Sequence, residues 1–125
     1  MTNDQINRLI AIELGWKPYR HRRSDLWSLV DTKDNIVGRA SHGGISEDHC
    51  WAVCNLDFCE DHNAVALMRN ALKPEEQRLF TQHLLAVVNP GGPVALMWNL
   101  WKTLNATPLQ QCKSFLRLRG KWAAQ

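Results

Sequence analysis

The chain has 125 residues and a mass of 14.3 kDa, a size that predicts one domain over residues 1–125 with a single core. Hydrophobic residues make up 45% of the chain and charged residues 22%, which excludes a wholly disordered protein. The net charge of +3 is unevenly spread: residues 1–45 carry seven basic and five acidic side chains, residues 46–76 two and seven, and residues 77–125 six and none. The C-terminal part, which has no acidic side chain, could therefore form a basic surface.

The sequence shows no pattern typical of a membrane span or a secretory signal. The uncharged stretch over residues 83–101 is interrupted by Asn89-Pro90-Gly91-Gly92-Pro93, which excludes a normal transmembrane helix. The first residues lack a basic start followed by an apolar stretch, so we expect no secretory signal. Four cysteines without such a signal favour free thiols in a reducing compartment. We therefore expect a cytoplasmic protein that does not contact a membrane.

The first element is predicted to be a helix. Thr2 and Gln5 have the spacing of a capping box. The apolar residues that follow recur at helical intervals, namely Ile6, Leu9, Ile10 and Leu14. Gly15 stands where a helix C′ residue is expected, and Pro18 prevents the helix from continuing.

Two strands are predicted next, over Leu26–Val30 and Ile36–Ala40. The segment between them, residues 31–35, is rich in turn-forming residues, which favours an antiparallel hairpin. Residues 45–60 are left as a loop that could contain one short element: Ser46 could begin a short helix, or Trp51–Val53 could form a strand.

The rest of the chain predicts three helices. Asp61 suits the N-cap of a helix that reaches Leu72, and Pro74 in a first turn predicts a second helix to Val88. Thr107, with Pro108 at the first helical position, predicts a last helix that ends before Gly120. Periodicity leaves Val94–Leu104 open as a buried strand or a short helix.

A cluster of thiols and imidazoles raises the question of a zinc site. Three cysteines and two histidines lie within fourteen residues, with His42 as a further candidate; they are His49, Cys50, Cys54, Cys59 and His62. The spacings do not form paired C-x2-C motifs, and a buried free cysteine behaves as a small apolar side chain. We therefore predict no metal and no cofactor, and keep a zinc-supported structural domain as the third hypothesis.

Catalytic motifs are not found in the sequence. A nucleophile needs a base and a group that orients that base, and Cys54 or Cys59 near His62 supplies only the first part. The sequence contains no G-x-S-x-G elbow, H-E-x-x-H helix or phosphate-binding glycine loop. We predict that the protein is not an enzyme and has no catalytic residues.

Two groups of aromatic and basic side chains are predicted to bind a partner. Arginine forks and aromatic faces bind phosphates and bases, and they also anchor protein interfaces. The first group is Trp16, Tyr19, Arg20, Arg22 and Arg23. The second group is Lys113, Arg117, Arg119, Lys121 and Trp122. The alternative is a solvated helix face with tryptophans in the core, where Trp27, Trp51 and Trp98 are expected.

Five short segments, in order along the chain, resemble the phage ABA-sandwich domain family. They are Ile6–Ile10 leading to Gly15-Trp16, Leu56–Ala64, Leu72–Arg78, Ala106–Cys112 and Gly120–Trp122. The resemblance implies a phage or prophage protein with a sheet lying between helices. The family has no general function, so no site is carried over from it. Cys59 stands where members usually have Ser or Thr, which argues further against zinc.

The fold class that we predict is α/β: a small antiparallel sheet, made of the hairpin and one or two more strands, sandwiched by about four helices. From the resemblance we expect a non-enzymatic phage accessory protein that binds and inhibits a protein or complex of the bacterial host, in the host cytoplasm. An immune component such as a CRISPR complex is the expected target. The alternative is a small module that binds a nucleotide or nucleic acid, including a sponge for an immune signalling nucleotide. The oligomeric state is left open.

Overall fold

The computed structural model describes residues 1–39, 43–90 and 102–122. Five helices and three strands have both ends within these residues. The helices are α1 (Asn3–Glu13), α2 (Glu47–Cys54), α3 (His62–Asn70), α4 (Pro74–Val88) and α5 (Pro108–Leu118). The strands are β1 (Lys17–Arg20), β2 (Trp27–Val30) and β3 (Ile36–Val37). The protein has an α/β fold with a small antiparallel sheet and helices, as predicted.

The chain divides into two compact units, residues 2–57 and, with Met1, residues 58–125. The single domain predicted from length stays a prediction. In the first unit, α1 begins at the predicted capping box: the Thr2 hydroxyl accepts from the Gln5 N–H, and the Gln5 side chain accepts from the Thr2 N–H at 2.8 Å. The helix is followed by Gly15 in the left-handed region at φ +86°.

The sheet of the first unit has the order β1-β2-β3, and all pairs are antiparallel. The predicted hairpin is confirmed, with Leu29 opposite Val37, although both strands are shorter than expected. Ala40, the predicted end of the second strand, lies outside the described residues. The strand that completes the sheet beside the hairpin is β1. For this segment the sequence predicted only that the first helix ends before Pro18. Proline, which has no N–H to donate, fits because β1 is an edge strand.

Helix α2 resolves the open segment in favour of the first alternative. Ser46 is its N-cap and accepts from the His49 N–H at 3.2 Å, and Trp51–Val53 lie within the helix. Cys50, Trp51 and Cys54 are buried, and α2 packs against β1 and β2. The strand alternative for Trp51–Val53 is therefore wrong, because the Ser46 cap starts a helix that contains these residues and buries Trp51.

In the second unit, helices α3, α4 and α5 begin at or next to the predicted N-caps. Asp61 accepts from the Asn63 N–H at 2.8 Å, and Thr107 forms a capping box with Gln110. Helix α4 packs against α5, and α3 also contacts α5. The buried side chains of this unit include Phe58, Val65, Met68, Phe80, Leu84, Cys112, Phe115 and Leu116.

Most of the ambiguous segment Val94–Leu104 lies outside the described residues, as does Trp98. Residues 102–104 are described and are helical. None of the helices in the described ranges has the length and apolar character needed to cross a membrane.

Candidate partner-binding surface

Trp16, the first of the predicted partner-binding residues, lies inside the protein. The residue is 6% exposed, and its backbone N–H donates to the Ala11 carbonyl at 3.0 Å, directly after α1. Because the indole presents almost no surface, it contributes to the core and not to a contact surface. The position of Trp16 next to a basic cluster in the sequence does not show whether its side chain is buried. Burial depends on residues distant in the sequence that pack over it.

Tyr19 and Arg20 are exposed residues of strand β1. Tyr19 is 45% exposed, and its ring meets the His21 ring edge-on with 5.2 Å between the centroids. His21 is itself held by a 2.6 Å hydrogen bond between its Nε2 and the Ser28 hydroxyl on β2. The two aromatic side chains therefore have fixed positions beside the edge of the sheet.

The turn from β1 to β2 presents the remaining two arginines of this group. The turn is closed by hydrogen bonds from the His21 N–H to the Leu26 carbonyl at 2.8 Å and from the Asp25 N–H to the His21 carbonyl at 2.9 Å. Arg20 forms an ion pair with Asp25 across it. Arg22 and Arg23 are exposed, and within the described parts of the chain neither has an ion-pair partner. We call Tyr19, Arg22 and Arg23 the β1 surface.

The residues of the second predicted group make two kinds of contact: Lys113 and Trp122 contact each other, whereas Arg119 forms an ion pair with another helix. Lys113 on α5 places its ammonium 5.4 Å from the ring centroid of Trp122, and both residues are half-buried. Arg119 instead pairs with Glu76 on α4, with 3.0 Å between Nε and Oε2, and lies 5.1 Å from the Phe115 ring centroid. Arg119 thus joins two helices of its own unit, which a prediction from net charge could not reveal.

Arg117 and Lys121 complete the second group. Arg117 is half-buried in the last turn of α5, where a cation is favourable to the helix dipole. Lys121 is exposed, and its N–H donates to the Leu116 carbonyl at 2.8 Å. Lys113, Arg117, Lys121 and Trp122 therefore remain candidates for a second contact set.

The cysteines are buried free thiols. Among the described residues, which leave out His42, no group of three or more His, Cys, Asp or Glu side chains could hold a metal ion. Burial, with Cys54 one turn away, raises the pKa of Cys50 to about 12. A thiol with such a high pKa is protonated at neutral pH and is therefore a poor nucleophile.

Sequence reasoning missed a cleft in the first unit, lined by side chains of α1 and α2. Its volume is about 560 Å³, and its walls include Arg8, Arg39, Trp51 and Asp57. These residues are separated by up to 49 positions, so no local motif could have indicated that they meet.

No protein-family model matches the chain, and no curated protein or solved structure gives a significant match. The resemblance to the phage ABA-sandwich domain family, and the phage origin that it implies, therefore stay predictions.

Proposed function

We propose that the protein is a phage- or prophage-encoded, non-enzymatic accessory protein that binds and inhibits a bacterial host factor, such as an immune complex of the CRISPR type. The phage origin rests on the resemblance of the five sequence segments. The binding role rests on the β1 surface, where an exposed tyrosine whose ring contacts His21 is followed within four residues by two exposed arginines.

The chemistry of the β1 surface suits an acidic patch on a protein partner. Tyrosine and arginine are enriched among the residues that dominate interface energies, because both combine a flat apolar face with hydrogen-bonding groups. Among the described residues, Arg22 and Arg23 have no ion pair to break before they meet a carboxylate, whereas Arg20 would have to leave Asp25. The proposed anchors are therefore Tyr19, Arg22 and Arg23.

The test is capture of partners from bacterial lysate by the tagged full chain and by the double variant Arg22→Glu/Arg23→Glu. We expect a specific host protein to be retained by the wild type and lost from the variant. The matched control is Lys33→Glu/Arg78→Glu, which makes the same change in net charge at exposed residues that are not part of the β1 surface.

Loss of the partner from both double variants would show that binding depends on net charge alone. It would contradict the assignment of the β1 surface as the contact. Retention of the partner by Arg22→Glu/Arg23→Glu would contradict it as well. A further double charge reversal, Lys113→Glu/Arg117→Glu, then tests whether the second contact set binds the partner instead. Capture of nucleic acid alone would favour the alternative module.

A further inference from the structure

The cleft lined by α1 and α2 has features of a ligand site that are independent of the β1 surface. Its volume of about 560 Å³ lies in the range of small-molecule sites. Asn7 and Asn55, two of its wall residues, are 9% and 7% exposed. Both carboxamides are held by hydrogen bonds within the wall: Asn7 bonds to Asp57, and Asn55 Oδ1 accepts from the Leu56 N–H at 2.9 Å. The wall therefore presents polar groups in fixed positions, which suits a polar ligand.

One wall of the cleft carries hydrogen-bonding groups of both kinds. Asn7 Nδ2 donates to Asp57 Oδ1 at 3.2 Å, which orients the amide and the carboxylate against each other. A carboxylate has acceptor capacity for several donors, so Asp57 can accept a further hydrogen bond. Carboxamides and carboxylates together recognise the edge of a nucleobase: amides match adenine, and carboxylates accept from exocyclic amino groups.

A flat cation also lines the cleft. The Arg8 guanidinium lies over Trp51, with 5.2 Å from Cζ to the ring centroid, and its Nη1 is 3.9 Å from Asp48 Oδ1. These contacts restrain the guanidinium on the indole. Guanidinium planes stack on nucleobases as well as on aromatic side chains. Trp51 and Arg8 together can therefore form a stacking platform.

The charge of the cleft decides between a nucleoside and a nucleotide. Its walls contain three carboxylates, on Asp4, Asp48 and Asp57, against the guanidinium groups of Arg8 and Arg39. This excess of negative charge opposes a phosphate and favours a neutral ligand or one with amino donors.

We propose that this cleft binds a free nucleobase or nucleoside that carries an exocyclic amino group, of which adenosine is the representative probe. The base stacks on the Arg8 guanidinium, its amino group donates to Asp57, and Asn7 pairs with the adjacent ring edge. This site does not depend on the host-protein role proposed for the β1 surface.

Adenosine is titrated into the full chain, and the tryptophan indole N–H signals are followed by NMR. Matched probes are inosine, which lacks the amino group, and adenosine monophosphate, which adds the phosphate. We expect saturable binding of adenosine, at least about tenfold weaker binding of inosine, and weaker binding of the monophosphate. Binding of inosine or of the monophosphate as tightly as adenosine, or no saturable binding of adenosine, would overturn the proposal.

Two variants locate the site. Arg8→Lys keeps the charge but removes the stacking plane. Asp57→Asn replaces the charged carboxylate by a neutral amide, which is a weaker acceptor for an amino group. Each change should weaken adenosine binding about tenfold. The matched controls Arg78→Lys and Asp34→Asn change exposed residues that do not line the cleft, and both variants should bind adenosine as the wild type does. Arg8 is exposed, so Arg8→Lys tests the site even if Asp57→Asn disturbs the fold. Unchanged binding by Arg8→Lys would overturn the assignment.

Discussion

At position 38 the absence of a side chain lets the backbone pass directly over the end of α2. Gly38 has φ +72°, and the Arg39 N–H donates to the Cys54 carbonyl at 2.6 Å. A Cβ at position 38 would overlap that same carbonyl oxygen. The hydrogen bond from the end of β3 to α2 therefore requires glycine for space as well as for backbone conformation.

Gly38→Ala tests this close approach, and Gly120→Ala is its matched control. Gly120 has φ +68°, but among the described residues no atom lies within 4 Å of the place that a Cβ would take, so alanine there meets only the strain of positive φ. We expect a loss of unfolding free energy of about 1 kcal/mol for Gly120→Ala and about 3 kcal/mol or more for Gly38→Ala. Urea denaturation of both variants measures the difference, and equal losses would contradict the steric argument.

Among the elements, the turn between β2 and β3 depends on one carboxylate. Asp31 Oδ1 accepts from the Asn35 N–H at 3.0 Å and from the Lys33 N–H at 2.8 Å, and the Asp31 N–H donates to the Asn35 carbonyl at 2.9 Å. The hydrogen bond from the Asn35 backbone, followed by that from Lys33, lowers the pKa of Asp31 below its ordinary value of 3.8.

Because this pKa is lowered by folding, the stabilisation is present above the ordinary value of 3.8 and is lost as the pH falls through the lower folded value. Asp31→Ala should lower the thermal midpoint at neutral pH, since it removes both accepted hydrogen bonds. Asp31→Asn should have a thermal midpoint close to that of the wild type at neutral pH, because its amide oxygen can accept the same hydrogen bonds. On acidification it should lose less stability than the wild type does. Thermal melts at neutral and acidic pH measure this, and identical acid sensitivity in Asp31→Asn and the wild type would contradict it.

For the whole molecule, the net charge of +3 and the sequence pI of about 8.8 describe a moderately basic protein. The basic side chains are partly engaged internally, as Arg20 is with Asp25 and Arg119 with Glu76. Such a distribution favours specific contact at a few exposed cations over general binding to a polyanion.

We therefore expect weak, salt-sensitive retention of the protein on immobilised DNA, with elution below about 0.3 M salt, because few phosphates are neutralised. Capture of a host protein through the β1 surface should survive a higher salt concentration if the interface has an apolar centre. Two results together would favour the nucleic-acid alternative. The wild type would elute from DNA only above about 0.3 M salt, and Arg22→Glu/Arg23→Glu would no longer be retained.

The sequence by itself determined where most helices begin and end. Thr2, Asp61 and Thr107 each bond backbone groups two or three residues away, and Gly15 lies just past the end of α1 in the left-handed region. Capping of this kind is a local interaction, so residue type and spacing are sufficient to predict it.

The tertiary structure alone decided which side chains are buried and which residues meet. It places Pro18 in an edge strand, Trp16 in the core, Arg119 in an ion pair with α4, and Arg8 over Trp51 beside a cleft. Strand pairing, burial and cleft formation depend on contacts between residues far apart in the chain. The same tryptophan or arginine can therefore be core or surface, and only its packing partners determine which.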